Sequence, residues 1–253
     1  KLEQVTHRIL YYESMRGCPF QCSYCLSSVE RGVRYRSLPL VFKDLQRFLD
    51  SKVKQVKFVD RTFNCKKSHA MAIWKYLKEN DNGITNFHFE LAGELIDEEM
   101  ISFLRTLRPG LCQFEIGVQS TSKETLEEIK RPFSFSVLTE KVNALQQTQN
   151  IHLHLDLIAG LPYESYQRFQ ISFNDVYALA PHQLQLGFLK VLGGSAMQTN
   201  APEYGLVHQR QAPYEVLKTS WISYGELSEL HGVADMVDHY YNSRRYHSLI
   251  TYL

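Results

Sequence analysis

The sequence predicts an α/β fold: a partial TIM barrel of the (β/α)6 kind, followed by a C-terminal helical extension. Strand-like and helix-like patterns alternate through roughly the first 200 residues, with no repeat, linker or low-complexity tract between them. Strict strand–helix–strand order implies right-handed crossovers and a parallel sheet. Six such units fit before residue 190, too few for a closed eight-stranded barrel.

Each element follows from its pattern. The first strand is expected at 9–14 (ILYYES), and the helix after it carries Val41, Leu45, Phe48 and Leu49 on one stripe. The strand at 53–59 (VKQVKFV) leads to a helix with Ala70, Ile73, Trp74 and Leu77, for which Ser68 is the expected N-cap. The strand at 86–91 (NFHFEL) precedes Met100, Ile101, Leu104 and Leu107, capped by Asp97. The strand at 111–118 (LCQFEIGV) precedes Thr121, with Glu124 completing a capping box. Strands at 151–159 (IHLHLDLIA) and 183–190 (QLQLGFLK) finish the alternation. Beyond them, Gly193-Gly194 predicts a turn, and Pro213 suits the first position of a helix that His231-Gly232 ends. The stripe Val233, Met236, Val237, Tyr240, Tyr241 predicts a second helix. The expected domains are therefore 1–195 and 196–253.

The chain has 253 residues, 44% apolar and 22% charged, as in water-soluble globular proteins. No apolar run approaches the ~18 residues of a membrane span, and no signal-peptide pattern opens the chain. A start at Lys1 reads as a fragment or an excised domain. A formal net charge of +1 argues against strong non-specific nucleic-acid binding without excluding a nucleic-acid substrate. Arg31, Arg34, Arg36 and Lys52, Lys54, Lys57 read as solvated faces. Five cysteines, three of them in one loop, suit a reducing cytoplasmic compartment better than a disulfide framework.

Period-two alternation sorts the strand side chains into faces. Leu153, Leu155 and Leu157 oppose His152, His154 and Asp156, while Cys112, Phe114, Ile116 and Val118 oppose Gln113, Glu115, Gly117 and Gln119. Leu184, Leu186 and Phe188 oppose Gln183, Gln185 and Gly187, and His88 pairs with Glu90 on one face. The apolar faces belong against helices. So many buried ionisable groups are costly without water or a ligand, which predicts a wet cavity on the other side. The alternative is a network in which these groups satisfy one another.

Cys18, Cys22 and Cys25 stand at C-x3-C-x2-C spacing in the loop after the first strand, the end of a parallel α/β sheet where active sites lie. A closed zinc site needs four ligands, so His69 or Cys65 would have to join from the next loop. Three thiolates can instead hold three irons of a [4Fe–4S] cube and leave the fourth open. Cys65 and Cys112 are expected as buried small apolar residues.

The motif GCPFQCSYC, with Tyr24 before the third cysteine, resembles the signature of the radical S-adenosylmethionine (SAM) enzymes. The segments EIGVQSTSKETLEEIKR (115–131) and DLIAGLP (156–162) resemble strands of oxygen-independent coproporphyrinogen oxidases, methylthiotransferases and cobalamin-dependent members. The resemblance spans roughly residues 8–195 and implies a cluster on Cys18, Cys22 and Cys25, with SAM on its open iron. It implies Tyr24 beside the adenine, Asp60 of VDRTFN toward the SAM amino group, and Gln119 with Arg131 on the SAM carboxylate. Glu90 and Asp156 would lie near the ribose and methionine portions, and Ile158 and Gly160 to Pro162 on the adenine side. Local readings exist beside these. Arg131 precedes Pro132 at a helix end that favours a cation, Tyr24 is suited to packing, and Pro162 is an ordinary turn residue.

Taken together, YYESMRGCPFQCSYCLSS, VKFVDRTFN, HLDLIAGLP and LQLGFLKVL are most similar to radical SAM proteins that carry an N-terminal cobalamin-binding domain. That likeness implies reductive SAM cleavage to a 5′-deoxyadenosyl radical, cobalamin bound by an upstream domain, and an electron donor such as flavodoxin or ferredoxin. The competing readings are a divalent-metal barrel hydrolase built on His152, His154 and Asp156, and a non-catalytic zinc or RNA-binding module.

Overall fold

The structure, a computed structural model, describes residues 8–29, 32–131, 133–246, 248 and 252. Arg31 of the basic cluster, Pro132 and the first seven residues of the expected 1–195 domain lie outside the described residues.

The chain opens with β1 (Ile9–Tyr12), β2 (Met15–Arg16), β3 (Arg34–Tyr35), α1 (Leu38–Asp50) and β4 (Gln55–Phe58). It continues through α2 (Lys67–Glu79), β5 (Asn86–Leu91), α3 (Glu98–Leu104) and β6 (Cys112–Gln119). Then come α4 (Lys123–Glu128), α5 (Phe135–Gln146), β7 (His152–Ala159), α6 (Tyr166–Tyr177) and β8 (Gln183–Phe188). The extension holds α7 (Ala196–Asn200), β9 (Val207–His208), β10 (Val216–Lys218) and α8 (Tyr224–Met236), which runs into a π-helical turn at Val237–Asn242. Six strands form a parallel sheet in the order β1–β4–β5–β6–β7–β8, the α/β partial TIM barrel expected.

The chain divides into two units. The first comprises Lys1–Pro19, Arg31–Ile116 and Ser136–Leu153. Its core is aromatic: Phe58, Phe63, Trp74, Phe87, Phe89 and Phe114 are all fully buried. Phe89 sits 4.4 Å from Phe63 and 4.5 Å from Phe58, ring centre to ring centre. Each such ring contributes about 2–3 kcal/mol by leaving water. α1 buries Val41, Leu45 and Leu49, and α2 buries Ala70, Ile73, Trp74 and Leu77, as their spacing requires. Asp97 caps α3 by accepting from the Met100 amide at 2.9 Å. Ser68, by contrast, lies inside α2. That helix starts after Lys66, whose extended backbone ends the 3-10 turn at Phe63–Cys65.

The second unit comprises Phe20–Glu30, Gly117–Phe135 and His154–Leu253. Its α4 is capped by Ser122 rather than Thr121, because the Thr121 hydroxyl is engaged by Asp175 Oδ2 at 2.6 Å. The extension is a hairpin followed by one helix rather than two helices. Pro213 follows a cis peptide in the loop before β10, and α8 begins only at Tyr224 behind a capping box of Ser223 and Glu226. His231-Gly232 does not end α8: the His231 ring stacks on Phe188 at 3.6 Å, and that packing carries the helix through the glycine. Leu186 and Phe188 of β8 are only half-buried, a weaker alternation than that of β6, where Cys112, Phe114, Ile116 and Val118 are fully covered.

Further contacts fasten the extension to the sheet. Gly160, with φ +85°, has Val216 Cγ1 only 2.7 Å from where a Cβ would stand. Farther along, the Asn242 side chain accepts from the Leu184 amide at 2.9 Å and donates to the Leu184 carbonyl at 2.8 Å, taking the place of a neighbouring strand beside β8.

Candidate active site

The cysteine loop divides between the two units, Cys18 in the first and Cys22 and Cys25 in the second. All five cysteines of the chain are free thiols.

In the first unit the approach to Cys18 is pinned from below. Asp60, fully buried just beyond β4, accepts from the Ser14 amide at 2.8 Å and the Met15 amide at 3.1 Å. Its second oxygen accepts from the Ser14 hydroxyl, which also lies 3.2 Å from His69 Nε2. Burial pushes the Asp60 carboxyl up to about 6, and these hydrogen bonds only partly oppose that. Both Asp60 oxygens are therefore engaged inside the protein. The next two residues face outward or upward: Arg61 reaches Glu90 at 3.8 Å, and Thr62 Oγ1 lies 3.3 Å from Cys18 Sγ. Cys65 is half-buried rather than a closed core residue, and the Tyr35 hydroxyl sits 3.1 Å from its sulfur. Cys112 is fully buried, as expected, and burial pushes its thiol up.

Part of the polar strand faces is internally paired. Glu115 Oε2 lies 2.9 Å from both Lys57 Nζ and His88 Nε2 in the first unit. In the second, His154 Nε2 lies 3.0 Å from Asp156 Oδ1. Among the described residues no group of three His, Cys, Asp or Glu side chains is gathered to hold a metal ion.

In the second unit the thiols meet a guanidinium. Arg131 Nη2 donates to the Gly117 carbonyl at 2.7 Å, and Nη1 lies 3.7 Å from Cys22 Sγ. Burial pushes the Cys22 thiol up, while Arg131 and the hydrogen-bonded Tyr24 phenol draw it down. Burial likewise raises Tyr24. The cysteine loop is tied to this element by its backbone, the Ser23 amide donating to the Ile129 carbonyl at 2.9 Å. Gln119 ends β6 with φ +71° and folds its amide back over Gly117, where a Cβ would stand 2.1 Å from Nε2. Its buried Oε1 has no hydrogen-bond partner among the described residues. Arg131 and Gln119 thus meet at Gly117, while Cys22 lies against Arg131 and is hydrogen-bonded by Tyr24. Asp156 and Ile158 are half-buried on one face of β7, and Gly160 is buried beneath β10.

The sequence reading missed a buried group. Glu164, 1% exposed, accepts from the Ser120 and Ser172 hydroxyls at 2.6 and 2.8 Å, and burial pushes it up to about 7. The only signal was a lone acid after Pro162.

Residues 12–176 match the Radical SAM superfamily. The chain belongs to that superfamily. Residues 202–253 match a second family, described as a protein of unknown function, DUF4080. The tRNA-2-methylthio-N(6)-dimethylallyladenosine synthase of Methylacidiphilum infernorum is 27% identical over 176 residues, covering 64% of this chain and 37% of that protein. The structure of the radical SAM methyltransferase TsrM from Kitasatospora setae, with cobalamin and a [4Fe–4S] cluster bound, superposes with a TM-score of 0.68 at 17% identity. That match covers 80% of this chain and 38% of TsrM. The cobalamin-dependent SAM radical enzyme OxsB, with aqua-cobalamin and SAM bound, gives 0.67 at 13%, covering 91% of this chain and 41% of OxsB. At these identities the structural likeness speaks for the fold. The chain spans about two-fifths of the length of the curated relatives it matches. Radical SAM proteins work with a [4Fe–4S] cluster and SAM. The donor set here fits that pair: three free thiols in one loop, a cation beside one of them, and a buried amide oxygen left open over a glycine. Among the described residues no helix is long and apolar enough to cross a membrane.

Proposed function

We propose that this chain is the catalytic portion of a radical SAM enzyme that cleaves SAM reductively, with Cys18, Cys22 and Cys25 as ligands of a [4Fe–4S] cluster. The observation that carries the reading is Arg131, held on the Gly117 carbonyl and set against Cys22 inside the span that matches the superfamily. When bound, the reduced cluster supplies one electron to the SAM sulfonium, giving methionine and a 5′-deoxyadenosyl radical that takes a hydrogen atom from a substrate. Arg131 offers a fixed, permanently charged fork for the SAM carboxylate. Gln119 supplies the second contact through an amide whose oxygen lacks a partner among the described residues. Tyr24, Ile158 and Gly160 line the adenine side, with Asp156 and the Arg61-paired Glu90 toward ribose and methionine. Asp60, whose oxygens are engaged by Ser14 and Met15, serves that site by holding the strand that leads into Cys18.

The cobalamin-containing neighbours TsrM and OxsB support a cobalamin-binding domain ahead of residue 1, and TsrM, a methyltransferase, supports methyl transfer as the reaction of the whole protein. The proposed boundary at 195/196 is supported by the separate family matches at 12–176 and 202–253, although the extension packs in one unit with most of β7 and with β8. The free thiols suit the cytoplasm, where a flavodoxin or ferredoxin supplies the electron.

Anaerobic reconstitution tests the reading. The protein should turn brown, hold about four irons per chain, and convert SAM to 5′-deoxyadenosine, all lost in Cys22→Ala. A colourless protein with bound zinc and no SAM cleavage overturns it.

A further inference from the structure

Glu164 is a buried acid outside the cluster ligands and SAM contacts proposed above. It lies in the loop between β7 and α6, yet of its two partners one, Ser120, directly follows β6, while the other, Ser172, lies in α6. Its Oε1 accepts from the Ser120 hydroxyl at 2.6 Å and the Ser172 hydroxyl at 2.8 Å. Ser120 Oγ in turn accepts from the Ser122 amide at 2.9 Å, and Ser172 Oγ accepts from the Thr121 amide at 3.1 Å. Three consecutive residues after Gln119 are therefore tied to one carboxyl oxygen, directly or through one hydroxyl. The second oxygen, Oε2, is buried without a hydrogen-bond partner among the described residues. Leaving it so is costly, and a structural acceptor for two hydroxyls does not need to be an acid.

The tied residues sit at a demanding place. Gln119, immediately before them, has φ +71°, a conformation a non-glycine residue keeps only where its surroundings fix it. Ser122, at the end of the turn, is the N-cap of α4, and α4 delivers Arg131 to the Gly117 carbonyl and Cys22. One short turn thus sets the direction of the Gln119 side chain and the origin of the helix that leads to Arg131.

We propose that Glu164 is a positioning residue for SAM: through Ser120 and Ser172 it fixes the turn that aims Gln119 and Arg131 together. The inference rests on the reading of Gln119 and Arg131 as SAM contacts. It assigns a task to an acid outside that pair, acting through the backbone.

The test uses the full-length, anaerobically reconstituted protein with SAM as the probe. Iron content and thermal midpoint are measured first. The dissociation constant for SAM follows, then the Michaelis constant and maximal rate of SAM cleavage. Glu164→Leu should raise both constants about tenfold, the loss of one to two buried hydrogen bonds, with iron content and maximal rate within about twofold. Glu164→Gln keeps an acceptor for both hydroxyls and should restore both constants to within about twofold of wild type. Unchanged SAM affinity in Glu164→Leu overturns the proposal, as does a failure of Glu164→Gln to rescue. Should Glu164→Leu not hold iron, Ser120→Ala decides: unchanged affinity overturns the proposal, and a loss of about threefold or more supports it. A wild-type protein that neither binds nor cleaves SAM strikes the functional reading itself, a separate outcome from the variants.

Discussion

Arg131 faces the Cys22 sulfur at 3.7 Å with one guanidinium nitrogen while the other is held by the Gly117 carbonyl at 2.7 Å. The fork is thus anchored by the strand and points at the cysteine loop, a division of labour that an ammonium cannot copy. Arg131→Lys keeps the charge and loses the second bond. SAM affinity should fall about tenfold, the loss of one charged hydrogen bond, while iron content stays at the wild-type level. Equilibrium binding beside iron analysis measures both.

The thiols should separate cleanly. Cys22→Ala should lose most of its iron and all SAM cleavage. Cys65→Ala should keep both within about twofold, because removing it costs one weak hydrogen bond from Tyr35, near the usual ~1 kcal/mol. Iron analysis of the two variants side by side decides whether the cluster uses a loop of three or borrows Cys65.

Gly17 has φ +96°, and a Cβ there would stand 2.2 Å from the Gly32 carbonyl oxygen. Both features forbid a side chain one residue before Cys18. Gly17→Ala should therefore displace the β2–β3 ladder and reduce iron loading severalfold, with the core of α1 and α2 still folded by far-ultraviolet circular dichroism.

Asp60 gives a pH dependence with a definite sign. Its folded carboxyl is raised to about 6 from a usual 3.8, so the folded chain binds the proton more tightly than the unfolded one. The stability this provides is complete below about pH 4 and is lost as pH rises through about 6, a change of about 3 kcal/mol for a shift of two units. Asp60→Asn, which still accepts from the Ser14 and Met15 amides, should flatten that fall. Thermal midpoints from about pH 4 to about pH 7.5 span the window, and parallel curves for the two proteins would refute the assignment.

The aromatic core can be probed by truncation. Phe89→Ala removes a fully buried ring that touches Phe58 and Phe63, and should cost about 3–5 kcal/mol in chemical denaturation.

The sheet was legible because every strand from β4 to β7 advertises a buried face through period-two alternation, and Cys112 to Val118 show it without exception. The cysteine loop was legible through its resemblance to the radical SAM signature, where spacing alone left zinc and an iron–sulfur cluster both open. Local choices that depend on a distant partner were not. Thr121 loses its cap role to Ser122 because Asp175 claims its hydroxyl, and His231-Gly232 fails to stop α8 because Phe188 stacks there. Asp60 looked like a ligand residue in VDRTFN, and only the fold shows Ser14 and Met15 occupying it. Glu164 carries no pattern at all, since its meaning comes from two serines 44 and 8 positions away.

Asn242 presents both halves of a peptide-like amide to Leu184, the second residue of β8. An extended polypeptide recruited to this sheet would have to displace that amide and the turn that carries it. The segment that matches the second family therefore works as a stop on the sheet, because it occupies the β8 edge groups of Leu184 that an added strand would need.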